Sequence, residues 1–393
     1  MAGGDILDCM GVGERIATER KIAGLTQRQL VARMHYSLAM LKAVEQGREP
    51  ASAGFIAATA KALRLSPDAL TGTPYDDGKP LSEAINGMSV LLAEGRYARA
   101  IEPRKGTLDA DLTAAQRLFR DDNTRQAIEV LPDVIRRFHG LVHETTGQAQ
   151  AKAYSQLAQS YRVAASSLRR TGWYSVMPQA LDLADTYSAL GDDPYHGPFT
   201  AVSRARLLTG YGESEVAASL VESSLSHADD TYAGLVLAGQ SHLAAAINEA
   251  GRLDYSTAMD HITAARECAT RTGETDLYMS AFGPSNVEIH AHAVELEAGD
   301  PNKAAREGQN LQVTADIQSP TRIGHHYMDN ARAWVMITNG DKALAALNKA
   351  RRYAPQQTRL HPGVRETMHA IAQLERRRTD TLVGFAAWLG TRI

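Results

Sequence analysis

Arg28, Lys42 and Arg48 sit in and beside two short helical patterns near the amino end, and the chemistry such side chains offer is neutralisation of a polyanion. They belong to a basic stretch. From Val12 to Leu70 the chain carries nine Lys or Arg against five Asp or Glu, a local charge of +4, whereas the whole chain is −3 and the remainder therefore −7. A basic head on an acidic body directs an anionic partner to the head alone. No comparable grouping supports catalysis or metal binding. His290 and His292 lie two apart and point to different sides of a helix; adjacent His325 and His326 also diverge, and His361 is isolated in sequence. Cys9 and Cys268 make neither a disulfide framework nor a metal knuckle. The patterns GxxxxGK(S/T), GxSxG and HExxH are absent, and "GVGERI" from Gly11 lacks the third glycine of a dinucleotide loop. The expectation is a non-enzyme with no catalytic residues, no metal and no cofactor.

Stepping from these side chains to what must hold them, the bulk numbers read as soluble, globular and longer than one core: 393 residues, 44% hydrophobic and 22% charged. The amino end has no basic, apolar-cored export signal, and no apolar run reaches the roughly 18 residues of a membrane span. With two lone cysteines this predicts a cytoplasmic protein. Strand-like alternation is scarce and spacings of three and four dominate, so the fold class is all-α. "LTGTPYDDGKP" places a domain boundary, giving a head over 1–70, a linker over 71–80 and a body over 81–393.

The head reads as five helices. The first covers Val12 to Ala23 and stops at Gly24. Thr26 caps the second, with Gln29 as capping-box partner, and that helix runs through Met34. Ser37 caps the third, which ends at Gly47; the fourth is Ala53 to Leu65, and the fifth begins at Ser66 with Pro67 in its first turn. Helices this short persist only on a shared core, here Ile16, Leu30, Met34, Leu41, Val44, Ile56 and Leu63. The outer face of the second short helix is left free, and a projecting helix of about 10 Å fits the DNA major groove. The pattern is a helix-turn-helix.

"GERIATERKIAGLTQRQLVARM" and "SLAMLKAVEQGREP" resemble the phage-repressor-type (XRE) DNA-binding domain, through Gly24-Leu25-Thr26-Gln27, Leu30, Ser37, Leu41, Val44, Glu45, Gly47 and Pro50. The resemblance implies double-stranded DNA as partner, a phosphate contact for Gln27 and base-edge positions for Leu38, Ala39, Lys42 and Ala43. Thr26 and Ser37 at the helix starts, with the cations Arg28, Lys42 and Arg48, complete the DNA-facing set. Two departures stand out. His35 and Tyr36 replace the family's Gly and small β-branched residue, and Leu38, Ala39 and Met40 replace its polar readers. Three readings stay open: thymine-methyl contact by apolar side chains, core or dimer packing of Met40 and Leu38, or binding chiefly to phosphates.

In the body, glycines punctuate long amphipathic segments at Gly172, Gly212, Gly251, Gly299 and Gly340, spaced 40, 39, 48 and 41 residues apart. Each is expected to end a helix in the left-handed conformation. Alanines follow within two turns, at Ala180, Ala217, Ala258, Ala304 and Ala343, letting a second helix lie close to the first. A helix-turn-helix unit near 40 residues predicts a tetratricopeptide-like right-handed α-solenoid. "FGPSNVEIHAHAVELEAGD", "HHYMDNARAW" and "APQQTRLHPGVRETM" resemble the body of actinobacterial helix-turn-helix regulators with such repeats, related in architecture to the peptide-sensing RRNPP group that acts in quorum sensing. This resemblance implies a sensor and homodimerisation module. On the inner helices, Asn248, Asn286 and Asn330 share a face and offer amides to a peptide backbone, while Arg204 and Arg332 offer guanidinium groups to a carboxylate. The function expected is a transcriptional regulator whose operator binding is controlled by a signalling peptide or small molecule, through changed solenoid curvature transmitted along Thr71 to Pro80. The alternative is a protein-interaction adaptor whose head does not read DNA sequence.

Overall fold

The computed structural model describes residues 11–72, 79–103, 106–311, 319–374 and 380–390. Cys9, and residues 73–78 of the expected linker, lie outside the described residues.

The head holds five helices: α1 (Val12–Ile22), α2 (Gln27–Val31), α3 (Leu38–Glu45), α4 (Ala53–Leu63) and α5 (Pro67–Thr71). Their ends follow the local chemistry. Thr26 accepts from the Gln29 amide while Gln29 Oε1 accepts from the Thr26 amide, a complete capping box. Ser37 Oγ accepts from Met40 N and Ser52 Oγ from Phe55 N, which satisfies otherwise orphaned donors. Gly24 and Gly47, both at φ 69°, carry the chain out of α1 and α3. The expected second helix is shorter than its apolar pattern, because the chain leaves helical geometry after Val31 and turns through 32–37. Ile16, Leu30, Leu41 and Val44 form the head's core, with Phe55 buried among them and Met34, Met40, Ile56 and Leu63 half-buried against it.

The body comprises α6 (Lys79–Glu94), α7 (Leu108–Arg120), α8 (Thr124–Glu144), α9 (Gly147–Arg170), α10 (Met177–Ser188), α11 (His196–Gly210), α12 (Ser214–Leu225), α13 (Tyr232–Gly251), α14 (Tyr255–Thr272), α15 (Pro284–Ala298), α16 (Pro301–Asn310), α17 (Pro320–Met336), α18 (Gly340–Tyr353), α19 (Pro355–Leu360), α20 (Pro362–Leu374) and α21 (Asp380–Leu389). From α9 to α18 the helices pair as five successive hairpins, and each first helix also meets the first helix of the next pair. This is a helical-repeat body behind a helix-turn-helix head. The five alanines that open the second helices, Ala180, Ala217, Ala258, Ala304 and Ala343, are all completely buried, as close approach of paired helices requires.

The turn chemistry departs from expectation. Gly172 and Gly212 take positive φ, 84° and 75°, but Gly251 ends α13 in helical geometry, Gly299 caps α15 at φ −105°, and Gly340 begins α18. In two of these turns the left-handed residue is not a glycine: Leu253 at φ 63° and Thr338 at φ 60°. Hydrogen bonds of the turn and the buried helices on either side hold these residues where intrinsic preference would not.

Candidate nucleic-acid interface and ligand cavity

The head is braced by one carboxylate. Glu45, on α3, takes a bidentate pair from Arg20 of α1, at 2.6 and 2.9 Å, and Arg20 also donates to Leu25 O at 2.7 Å. Gln27 Nε2 donates to the same carboxylate at 2.8 Å. Gln27 thus stands at the start of α2, the phosphate-facing position of the resemblance, with its amide engaged in orienting α3. Thr26 is held in its capping box and Ser37 in its cap. Around them Arg28, Lys42 and Arg48 are exposed, and among the described residues they have no ion-pair partner. Along α3, Ala39, Lys42 and Gln46 beyond its end are exposed, Leu38 and Ala43 are half-buried, and Met40 packs into the head's core. The open strip therefore offers one methyl, one ammonium and one amide. Gln46 was not singled out from the sequence, although its place four residues after Lys42 puts it on the same face.

The two departures at the turn have a structural role. His35 Nε2 donates to Gly251 O at 2.8 Å, and Tyr36 Oη reaches Glu297 Oε1 at 3.2 Å and Gly251 O at 3.4 Å. Ser52 Oγ donates to the same Glu297 oxygen, and Arg332 Nη2 holds the other at 2.8 Å. Tyr36 is buried and sets its ring edge-on to Phe55, 5.0 Å between centroids. Burial and the neighbouring Glu297 push its phenol far above the usual range, so it stays a donor. Glu366 on α20 accepts from Val12 N at 3.1 Å, at the positive end of α1, and Lys61 on α4 reaches Glu213 at 3.2 Å and Gly212 O at 3.1 Å. The helix-turn-helix is thus latched onto the repeats through its own turn and through α4, which lies against α11 and α13.

Beneath the head lies a cavity of about 1040 Å³, walled by α4 and its neighbours on one side and by the first helices α11, α13, α15 and α17 on the other. Into it come Arg169, Arg206, Arg322, His290, His325 and His361. The His325 and His361 rings are 5.4 Å apart, and His325 Nε2 lies 3.7 Å from Asp329. Burial, with Arg322 close by, holds His290 down at about 3 and His325 at about 4; burial and His325 hold His361 at about 4. All three rings are neutral near pH 7. Burial and the neighbouring guanidinium groups bring Arg206 down to about 9 and Arg322 to about 10.

The five residues expected to hold a ligand are scattered relative to this cavity. Asn248 lines it but is buried, bonded to Thr209 Oγ1 at 3.0 Å and Ser214 O at 3.1 Å. Arg332 lines it too, engaged with Glu297. Asn330 is buried between helices, donating to Ala305 O and accepting from Trp334 Nε1. Asn286 is buried with neither side-chain atom partnered, outside the cavity wall. Arg204 is turned away, held by Asp182 at 2.8 Å and Asp185 at 2.7 Å. Asn248 and Asn330 thus bridge helices, and the three asparagines form no amide row along the cavity. The cationic cluster itself was missed: three of its members sit on different helices. One local signal existed, Arg322, His325, Asp329 and Arg332 at spacings of three, four and three, which places four ionisable groups on one face of α17.

Among the described residues no group of three or more side chains is arranged to hold a metal ion, and no helix is long and apolar enough to cross a membrane. Residues 12–71 match the family described as helix-turn-helix domain. No curated protein matches the chain. Among solved structures the chain is similar to Bacillus thuringiensis PlcR in complex with the peptide PapR7 and DNA, at 12% identity and a TM-score of 0.30, covering 93% of this chain and 99% of that one. A likeness that slight carries no argument here.

Proposed function

We propose that this chain is a ligand-responsive transcriptional regulator. Its head binds double-stranded DNA through Arg28, Lys42 and Arg48, and occupancy of the cavity beneath the head controls that binding. The observation that carries the reading is that the helix-turn-helix keeps its cationic face open while its turn, through His35 and Tyr36, is fastened to the repeats above a cavity both parts wall. With one ammonium and one amide on the open strip, phosphate contacts supply most of the affinity, and Ala39 and Gln46 supply modest base discrimination. Operator half-sites about 34 Å apart need two heads, so the reading includes a homodimer.

The test is a titration of the full chain against genomic fragments at about 150 mM salt. Retention of selected fragments over bulk DNA is expected. Lys42→Ala with Arg48→Ala should weaken binding and flatten the slope of log affinity against log salt by about two. Equal affinity for all fragments, or none for any, sinks the regulator. The adaptor alternative drew on the apolar start of α3, but Met40 belongs to the head's core, which leaves half-buried Leu38 as its only support.

A further inference from the structure

Charge around the cavity is unbalanced. Eight Lys or Arg and five Asp or Glu line it. Glu213 is taken by Lys61 and Glu297 by Arg332, while Arg252 pairs with Glu249 outside the lining set. Asp329 sits between His325 and Arg332. That leaves Asp68, from the head, and exposed Glu215 to face five guanidinium groups. Among the described residues Arg169, Arg206 and Arg322 take no carboxylate partner. The nearest acid to Arg322 by electrostatic influence, Asp276, is held by Arg120 at 2.8 Å. Arg206 donates to the Gln240 amide oxygen, a neutral acceptor. The three guanidinium groups lie close enough to disfavour one another's charge and that of His290 and His325. Like charges gathered in a concavity raise the free energy of the empty chain, and a folding role does not account for them.

We propose that this cavity binds a small molecule carrying at least two anionic groups, phosphate or carboxylate, gripped by Arg169, Arg206 and Arg322 with His325 and His361 as further donors. The proposal rests on the ligand-responsive reading and gives its ligand a chemical class. Guanidinium forks match both kinds of oxyanion in bidentate fashion, and neutral imidazoles add N–H donors. The volume is that of a site for a compact metabolite, at the top of the usual range for such pockets.

The experiment uses the full chain, with inorganic pyrophosphate and citrate as the phosphate and carboxylate probes, titrated calorimetrically at fixed ionic strength. One-site, saturable binding of at least one probe is expected. Arg206→Gln with Arg322→Gln should weaken it at least about tenfold. Lys42→Ala with Arg48→Ala, on the DNA-facing side, should leave it unchanged. Because an arginine can also be structural, Arg322→Met is melted without ligand: relief of repulsion predicts an equal or higher Tm. The proposal is overturned if neither probe saturates, if the affinity follows Lys42 and Arg48, or if Arg322→Met lowers the Tm. DNA titration of the ligand-free chain reports the regulator reading separately: intact DNA binding with no anion binding removes the ligand class alone, and the reverse removes the regulator alone.

Discussion

Tyr36→Phe isolates the latch. The substitution keeps the ring packed on Phe55 and removes one hydroxyl, whose proton is shared between Glu297 Oε1 at 3.2 Å and Gly251 O at 3.4 Å. A hydrogen bond to a charged acceptor is worth about 1.5–3 kcal/mol. Glu297 keeps Ser52 and Arg332, so no bare buried carboxylate results, and Gly251 O keeps His35. The lower end, about 1.5 kcal/mol, therefore applies, and it shifts the docked–undocked balance of the head roughly tenfold. Amide hydrogen exchange reads this directly as a sub-global opening. Protection along α4, the helix against α11 and α13, should fall about tenfold. Protection in α9, inside a separate core cluster around Leu157 and Tyr161, should hold. Unchanged exchange in α4, or equal losses in α4 and α9, refutes the claim that the turn of the helix-turn-helix is a docking device.

Two further predictions rest on single features. Gly13→Ala places a Cβ 1.9 Å from the Val44 carbonyl oxygen, where α1 crosses α3 and only backbone is available to give way. A loss of about 1–3 kcal/mol is expected, seen as lost DNA affinity with the melting of the body retained. Acidification from pH 6.5 toward 4 should destabilise the protein, because the folded state holds His290 at about 3 and His292, His325, His326 and His361 at about 4 by burial, below their unfolded value. Their contribution is present above about pH 6.5 and is lost as pH falls through that window. Asp122, raised to about 6 by burial, and Glu49, Asp68, Asp185, Asp329 and Glu366, also raised by burial, act in the opposite sense, but these six are outnumbered by eight histidines, since burial also holds His139, His196 and His242 at about 4. A Tm lower by on the order of 10 °C at pH 5 than at pH 7.5 is expected, and a flat Tm contradicts the buried-neutral histidines.

Much of the architecture was legible because its causes are local. Thr26 with Gln29, Ser37 and the five buried alanines act within a turn or two of themselves, so their spacing alone locates helix starts and helix–helix seams. Where tertiary contacts overrule local preference, sequence misleads. Leu253 and Thr338 occupy left-handed positions assigned to neighbouring glycines. Arg204 and Arg332 both lie eight residues before a punctuating glycine, yet one turns to Asp182 and Asp185 and the other inward to Glu297, since repeats of unequal length do not keep one phase. The cluster of Arg169, Arg206 and Arg322 draws on three helices spread over 153 residues of sequence, from 169 to 322, and no short window contains it. His35 and Tyr36 were legible only as a departure; their partners at Gly251 and Glu297 supply the reason.

Linkage now constrains how the cavity acts. A ligand shifts a conformational equilibrium only by its difference in affinity for the two states. Arg33 and Arg64 come to the cavity from the head, and Arg206 and Arg322 from the body, so the complete wall exists only while the head is docked. An anion that uses both sides must favour the docked form, and the docked form must bind it more tightly by the same factor. Docking leaves Lys42 exposed, so on the proposed reading such an anion would not compete with DNA for that face; it would fix how the face is held on the repeats. In a two-headed assembly that orientation sets the separation of the recognition helices, the quantity a pair of half-sites measures. The face of α17 that carries Arg322 and His325 also carries Asp329 and Arg332, and Arg332 holds the Glu297 to which Tyr36 and Ser52 are fastened. The proposed ligand grip and the head latch are therefore two ends of one helix face.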